Sequence, residues 1–153
     1  MTGDQDLVRI YTDGACIGNP GPGGWAAVLL WKEAERRMQG GETATTNNRM
    51  ELTAAIKALE ALKRPCRVEL FSDSAYLINA FVEGWAKKWQ TKSGARHNGD
   101  PVKNYDLWLR LFALDGAHHV TWKKVKGHSG DMYNSICDVM ALEEAMKHKD
   151  RIG

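Results

Sequence analysis

The chain lacks any apolar run approaching the roughly 18 residues that a membrane-spanning helix requires, so no membrane partner is expected. Cysteine is scarce: Cys16, Cys66 and Cys137 are odd in number and scattered, which speaks against a disulfide framework and for a reducing compartment. None of the three falls in a CxxC pair or at zinc spacing from histidines. Residues 1–6 have neither the basic nor the apolar region of a secretory signal, and a cytoplasmic location is expected. Charge of one sign is also missing, because the net charge of +2 is too small to identify a partner. Internal repeats and low-complexity segments are absent. What remains is a chain of 153 residues, 43% hydrophobic, long enough to bury a core as a single domain without staples.

The pattern of elements reads as α/β. Residues 8–12 alternate as a strand and run into Asp13-Gly14, after which the glycine- and proline-rich segment 18–24 predicts a loop. Residues 25–31 form an apolar run of strand length, predicted to be buried on both faces. A turn near 33–35 and an extended piece over 37–42 complete an antiparallel meander. Leu52, Ala55, Ile56, Leu59 and Leu62 recur at helical spacing, with Thr46, Asn47 and Asn48 as capping side chains and Pro65 as terminator. A strand over 68–72, a helix opening at Asp73-Ser74, a Trp/Lys-rich stretch over 85–103, a helix over 105–114, a strand over 119–125 and a closing helix over 131–147 follow. Three strands and then alternating helices and strands imply a mixed sheet with helices packed on it.

Four acidic residues carry the chemistry. Asp13 lies in Tyr11-Thr12-Asp13-Gly14, and Glu51 in Thr45-Thr46-Asn47-Asn48-Arg49-Met50-Glu51-Leu52. Asp73 lies in Phe71-Ser72-Asp73-Ser74, and Asp138 comes ten residues after His128 of Lys126-Gly127-His128-Ser129-Gly130. Each has an ordinary explanation by itself. Asp-Gly is a turn dipeptide, Glu51 in the first turn of a helix meets the positive end of its dipole, and Asp73 after a strand is a helix cap. Asp138 on a helix is a solvated residue. Jointly they place carboxylates at strand ends and helix starts, where α/β sheets hold ligands. Carboxylates in or beside apolar elements need a cation to offset their desolvation, and hard oxygen ligands suit a pair of magnesium ions and phosphodiester hydrolysis. The glycine-rich segment is not a P-loop, because no Gly-Lys-Ser/Thr follows it.

These strings, together with Gly-Asn-Pro-Gly-Pro-Gly-Gly over 18–24 and Pro-Val-Lys-Asn-Tyr-Asp-Leu-Trp over 101–108, resemble bacterial type 1 ribonuclease H, in order from about residue 7 to 145. The resemblance implies a ribonuclease H-like fold, a five-stranded mixed sheet flanked by helices. It implies an endonuclease that cuts the RNA strand of RNA–DNA hybrids by two-metal-ion catalysis, leaving 3′-hydroxyl and 5′-phosphate ends. Asp13, Glu51, Asp73 and Asp138 would hold two Mg2+ ions, or Mn2+, with Asp13 bridging them, and His128 between glycines would assist proton transfer or product release. Cys16, Asn19, Asn47 and Asn48 would meet the RNA strand, where the 2′-hydroxyl is the discriminating group and amide side chains both donate and accept.

Thr46 and Asn104 would form a phosphate pocket for the DNA strand, joined by Trp85, Lys87 and Lys88. The 85–103 stretch carries Lys87, Lys88, Lys92, Arg96 and Lys103 against Asp100, and such clustered cations make binding salt-dependent. Gly94, Ala75 and Ser135 depart from residues common in relatives at those positions, and none is among the four acids. The partner expected is a hybrid duplex, met by a monomer with no obligatory protein partner. Two other readings are a nuclease module of a larger polynucleotide-processing enzyme and a hybrid-binding protein without catalysis. The second is disfavoured because a binding module gains nothing from mutually repelling acids.

Overall fold

The computed structural model describes residues 7–91, 102–125 and 132–152. In chain order the elements are β1 (Leu7–Cys16), β2 (Gly21–Trp31), β3 (Ala34–Thr45), α1 (Asn47–Glu60), β4 (Arg67–Ser72), α2 (Ala75–Val82), α3 (Trp85–Thr91), α4 (Tyr105–Ala117), β5 (His119–Lys124) and α5 (Met132–Ile152). The five strands form one sheet in the order β3-β2-β1-β4-β5. The β1–β2 and β2–β3 pairs are antiparallel, while β4 runs parallel to both β1 and β5. The mixed sheet expected from the order of elements is the sheet observed.

Period-two alternation divides the core between the two faces. Ala27 and Leu29 of β2 join Val8, Ile10, Val68 and Leu70 beneath α1, α2 and α4. Ala26 and Val28 turn the other way, against Cys137, Met140 and Ala141 of α5. Strand β2 is therefore buried on both sides through Leu29, as its apolar run predicts. The burial stops before the predicted end, since Trp31 is 38% exposed where the strand passes the helices.

Several boundaries differ from expectation. Segment 18–24 is not all loop, because β2 already begins at Gly21. A Cβ on Gly24 would strike the Ala141 carbonyl and lie 2.7 Å from the Ala145 nitrogen, so glycine there lets α5 press onto the sheet. Helix α1 ends at Glu60, where the Ala61 N–H donates to the Lys57 and Ala58 carbonyls in a tightened turn, so Pro65 falls in the following loop. Helix α1 also buries Met50, Ala54 and Ala58 beyond its predicted stripe, because the sheet lies on one side of it and α4 on another. Helix α5 continues past the expected 147 to Ile152.

Candidate active site and nucleic-acid interface

Parallel pairing of β1 with β4 ends at Tyr11 opposite Phe71. Two residues beyond that pair come Asp13, still within β1, and Asp73, just past the end of β4, so the register itself brings these two carboxylates to the same end of the sheet. The helix-cap explanation of Asp73 fails, because Ser74 fills that role. The Ser74 hydroxyl accepts from the Leu77 N–H at 3.1 Å, and the Ser72 hydroxyl accepts from the Ser74 N–H at 3.0 Å.

Glu51 arrives from α1. Its dipole explanation fails as well, because Thr46 is the N-cap and the first turn holds no acidic residue. Glu51 is the fifth helical residue and is only 4% exposed. Gly14 makes the approach feasible: a Cβ there would lie 2.5 Å from the Glu51 nitrogen and 2.6 Å from the Met50 carbonyl carbon. The missing side chain lets the second turn of α1 rest directly on β1 beside Asp13.

One oxygen each from Asp13, Glu51 and Asp73 lie within 4.8 Å of one another. Asp13 is 4% exposed and accepts from the Gly14 N–H at 2.8 Å. Glu51 Oε2 is buried with no hydrogen-bond partner among the described residues. Burial first, then the Asp73 charge, pushes Asp13 up to about 7 from 3.8, and the charge of Asp138 adds to the rise. Burial and the charges of Asp13 and Asp73 likewise hold Glu51 well above the usual carboxylate range. An unpartnered buried carboxylate oxygen and like charges forced together are what a hard divalent cation would relieve. The donor set therefore fits such an ion.

Asp138 stands apart from the three. It is exposed on α5, close enough to raise Asp13 by its charge but outside the 4.8 Å group. His128 lies outside the described residues, as do Lys92, Gly94 and Arg96 of the basic stretch.

The candidates for strand binding line the start of α1 and its surroundings. Asn19 Oδ1 accepts from the Asn47 N–H at 2.9 Å, which ties the β1–β2 turn to the first turn of α1. The Cys16 thiol bridges to the carbonyls of Thr45 (3.4 Å) and Gly21 (3.5 Å), joining that turn to β3. Asn48 is exposed on the same rim. Thr46 caps α1 by accepting from the Arg49 N–H at 3.2 Å.

Helix α3 separates its two tryptophans. Trp89 docks against buried Trp108 with ring centroids 5.2 Å apart, while Trp85 remains 42% exposed beside exposed Lys87 and Lys88. One indole anchors the helix and the other is left on its surface.

Two residues had no predicted role. Arg49 connects Thr46 to Asn104 and Asp106, and Tyr76 holds Asn104 from the other side. A cation in the first turn of a helix opposes the dipole, and that local misfit is the one signal of Arg49 in the sequence. A cavity of about 780 Å³ lined by Val8, Leu29, Cys66 and His118 contains none of the candidate residues.

Residues 5–146 match the RNase H family. The ribonuclease H of Caldanaerobacter subterraneus subsp. tengcongensis is 55% identical over 148 residues, covering 97% of both chains. That of Acetivibrio thermocellus is 51% identical over 144 residues, 94% of this chain and 98% of that one. Among solved structures, LC9-RNase H1, described as a type 1 RNase H with the type 2 active-site motif, superposes with a TM-score of 0.83 at 29% identity, over 94% of this chain and 74% of its own. LC11-RNase H1, solved in complex with an RNA/DNA hybrid, shares the fold with a TM-score of 0.70 at 21% identity, over 92% of this chain and 97% of its own.

Proposed function

The chain belongs to the ribonuclease H family, and on that footing we propose that it hydrolyses the RNA strand of RNA–DNA hybrids at a divalent-cation centre built on Asp13, Glu51 and Asp73. The observation that carries this reading is the three-carboxylate group, with Asp13 and Glu51 buried, Asp73 half-buried and one Glu51 oxygen unpartnered among the described residues. Asp138 completes the ligand set from the rim. The preferred occupants are two Mg2+ ions, with Mn2+ as substitute, because all four donors are hard oxygens.

When bound, the cations polarise the scissile phosphodiester and lower the pKa of the attacking water. The protein's own residues supply the rest. Asp13 interacts electrostatically with each of the other three acids, Glu51, Asp73 and Asp138. Burial of Glu51 keeps bulk water from its carboxylate, so its charge favours a cation over solvent. His128 moves a proton to or from the departing strand.

Asn19, Asn47 and Asn48, with the backbone near Cys16, meet ribose hydroxyls and base edges of the RNA strand; LC11-RNase H1, solved in complex with an RNA/DNA hybrid, supports a hybrid as the ligand. Thr46 and Asn104 receive a phosphate of the DNA strand, Trp85 offers a stacking face, and Lys87 and Lys88 grip further phosphates. The chain acts as one domain and a monomer in the cytoplasm. No helix among the described residues is long and apolar enough to cross a membrane.

Incubation with RNA–DNA hybrid, double-stranded RNA and double-stranded DNA, each with Mg2+ or a chelator, tests the reading. Cleavage confined to the RNA of the hybrid, and only with metal, is expected. A hybrid left intact by the metal-loaded protein removes it.

A further inference from the structure

Asn104 occupies the N-cap of α4 in the left-handed region, with φ of 61°, yet its side chain makes no capping hydrogen bond. Asparagine at that position ordinarily stabilises the helix by bonding a first-turn N–H, so both the strained backbone and the forgone cap call for another use of the side chain. Its contacts supply one. Asn104 Oδ1 accepts from Arg49 Nη1 at 3.2 Å, and Asn104 Nδ2 donates to the Tyr76 hydroxyl oxygen at 3.0 Å.

Both partners are themselves fixed. Asp106 receives Arg49 in a two-pronged pair at 3.1 and 2.8 Å, and holds it above its ordinary pKa. The Tyr76 oxygen also accepts from Trp108 Nε1 at 3.1 Å, and Trp108 is fully buried. The frame is thus rooted in the core on one side and in a planar ion pair on the other.

Arg49 is the shared node, since its own N–H binds Thr46 Oγ1 while its guanidinium binds Asn104. Thr46 keeps its hydroxyl hydrogen and Asn104 its second N–H as donors. Both are neutral, and the positive charge of Arg49 is already matched by Asp106. From this geometry we infer that Arg49, Asp106 and Tyr76 are positioning residues that aim Asn104 and Thr46 at one phosphate of the DNA strand. The inference rests on the hybrid reading above and adds how its phosphate pocket is held. It also has a distinctive consequence: the frame sets the strength of one contact without contributing a counterion-releasing charge, so disturbing it leaves the salt dependence of binding alone.

The test uses the full chain with Mg2+ and a set of hybrids, each with a single methylphosphonate at a different DNA-strand position. For the unaltered protein, one position is expected to raise KM about tenfold with kcat retained, the size of one lost hydrogen bond to a charged group. Arg49→Lys and Tyr76→Phe are expected to raise KM on the unmodified hybrid about tenfold, to become indifferent to that position, and to keep the wild-type slope of log KM against log salt. Tyr76→Phe, which removes a single oxygen, carries the test if Arg49→Lys does not fold. Variants that keep full sensitivity at the marked position, or lose it evenly at all positions as general damage would produce, overturn the inference. Cleavage of hybrids by an unaltered protein indifferent to every DNA-strand position removes the pocket and the frame together, while leaving the reaction standing.

Discussion

Arg49 and Glu51 are two positions apart on α1, roughly 200° around the helix, and they serve clusters of opposite design. Around Glu51 three carboxylates crowd together, one buried oxygen has no partner, and two of the acids are pushed toward protonation. Around Arg49 the guanidinium meets Asp106 and Asn104, and Asp106 is held below its usual range by the guanidinium. The first cluster needs a cation from outside to balance its charge, whereas the second balances its charge internally. One helix carries both because its N-terminal turn rests on β1 at Gly14 and faces α4 on its other side. The contrast separates a place where chemistry happens from a place that holds geometry.

The strongest way to break the contrast is Asp13→Asn. Activity should fall by several orders of magnitude while the metal-free protein becomes more stable, because one of the repelling charges is gone. Cleavage assays and thermal unfolding in chelator read the two effects. Retained activity would take Asp13 out of the centre, and a destabilised metal-free protein would deny the repulsion.

Next in size is a pH effect. Asp13 has a folded pKa of about 7 against an ordinary 3.8, so the folded state holds an extra proton between those values. Stability of the metal-free protein must then decline as pH rises through that window, by up to about 4 kcal/mol from this group, with Glu51 adding in the same direction. Saturating Mg2+ should flatten or reverse the decline, since it competes with the proton. Denaturant midpoints from pH 4 to 8, with chelator and with metal, would show it. Identical pH profiles in the two conditions would contradict a cation at these acids.

Gly14→Ala tests the contact that supports both clusters. The added methyl meets backbone rather than a yielding side chain, so a loss of about 1–3 kcal/mol is expected from overpacking. Activity should fall further than stability alone explains, because Glu51 is displaced from Asp13. A variant with native activity would show that α1 has room to move.

The smallest effect belongs to Asp106→Asn, whose partner pair is largely exposed and should contribute about 1 kcal/mol or less to stability. Its kcat should be unchanged, and its KM should rise as for Arg49→Lys. A loss of kcat matching that of Asp13→Asn would erase the distinction between the two clusters.

The alternation of residues 8–12, the apolar run from Trp25, and the helical spacing of Leu52 to Leu59 already specify strands and a helix, because those periods follow from local backbone geometry. The acidic strings were also legible, since each carboxylate sits in a distinctive local sequence. Boundaries set by close approach were not legible. Gly24 reads as a loop glycine until α5 is seen pressing on it, and Pro65 reads as a helix terminator until α1 is seen to stop at Glu60. Glu51 reads as a dipole partner until Thr46 proves to be the cap, and Asp73 as a cap until Ser74 takes that place.

By itself, then, the order of residues determined which segments are strands and helices and which acids are candidates for chemistry. Only the tertiary structure decided that oxygens of Asp13, Glu51 and Asp73 converge, with Asp138 near enough to act on Asp13 by its charge, and that Arg49 and Tyr76 grip Asn104. The physical reason is distance along the chain. Periodicity and capping act between neighbours, whereas desolvation, charge repulsion and side-chain hydrogen bonds depend on which remote segments the sheet register and a missing Cβ bring together.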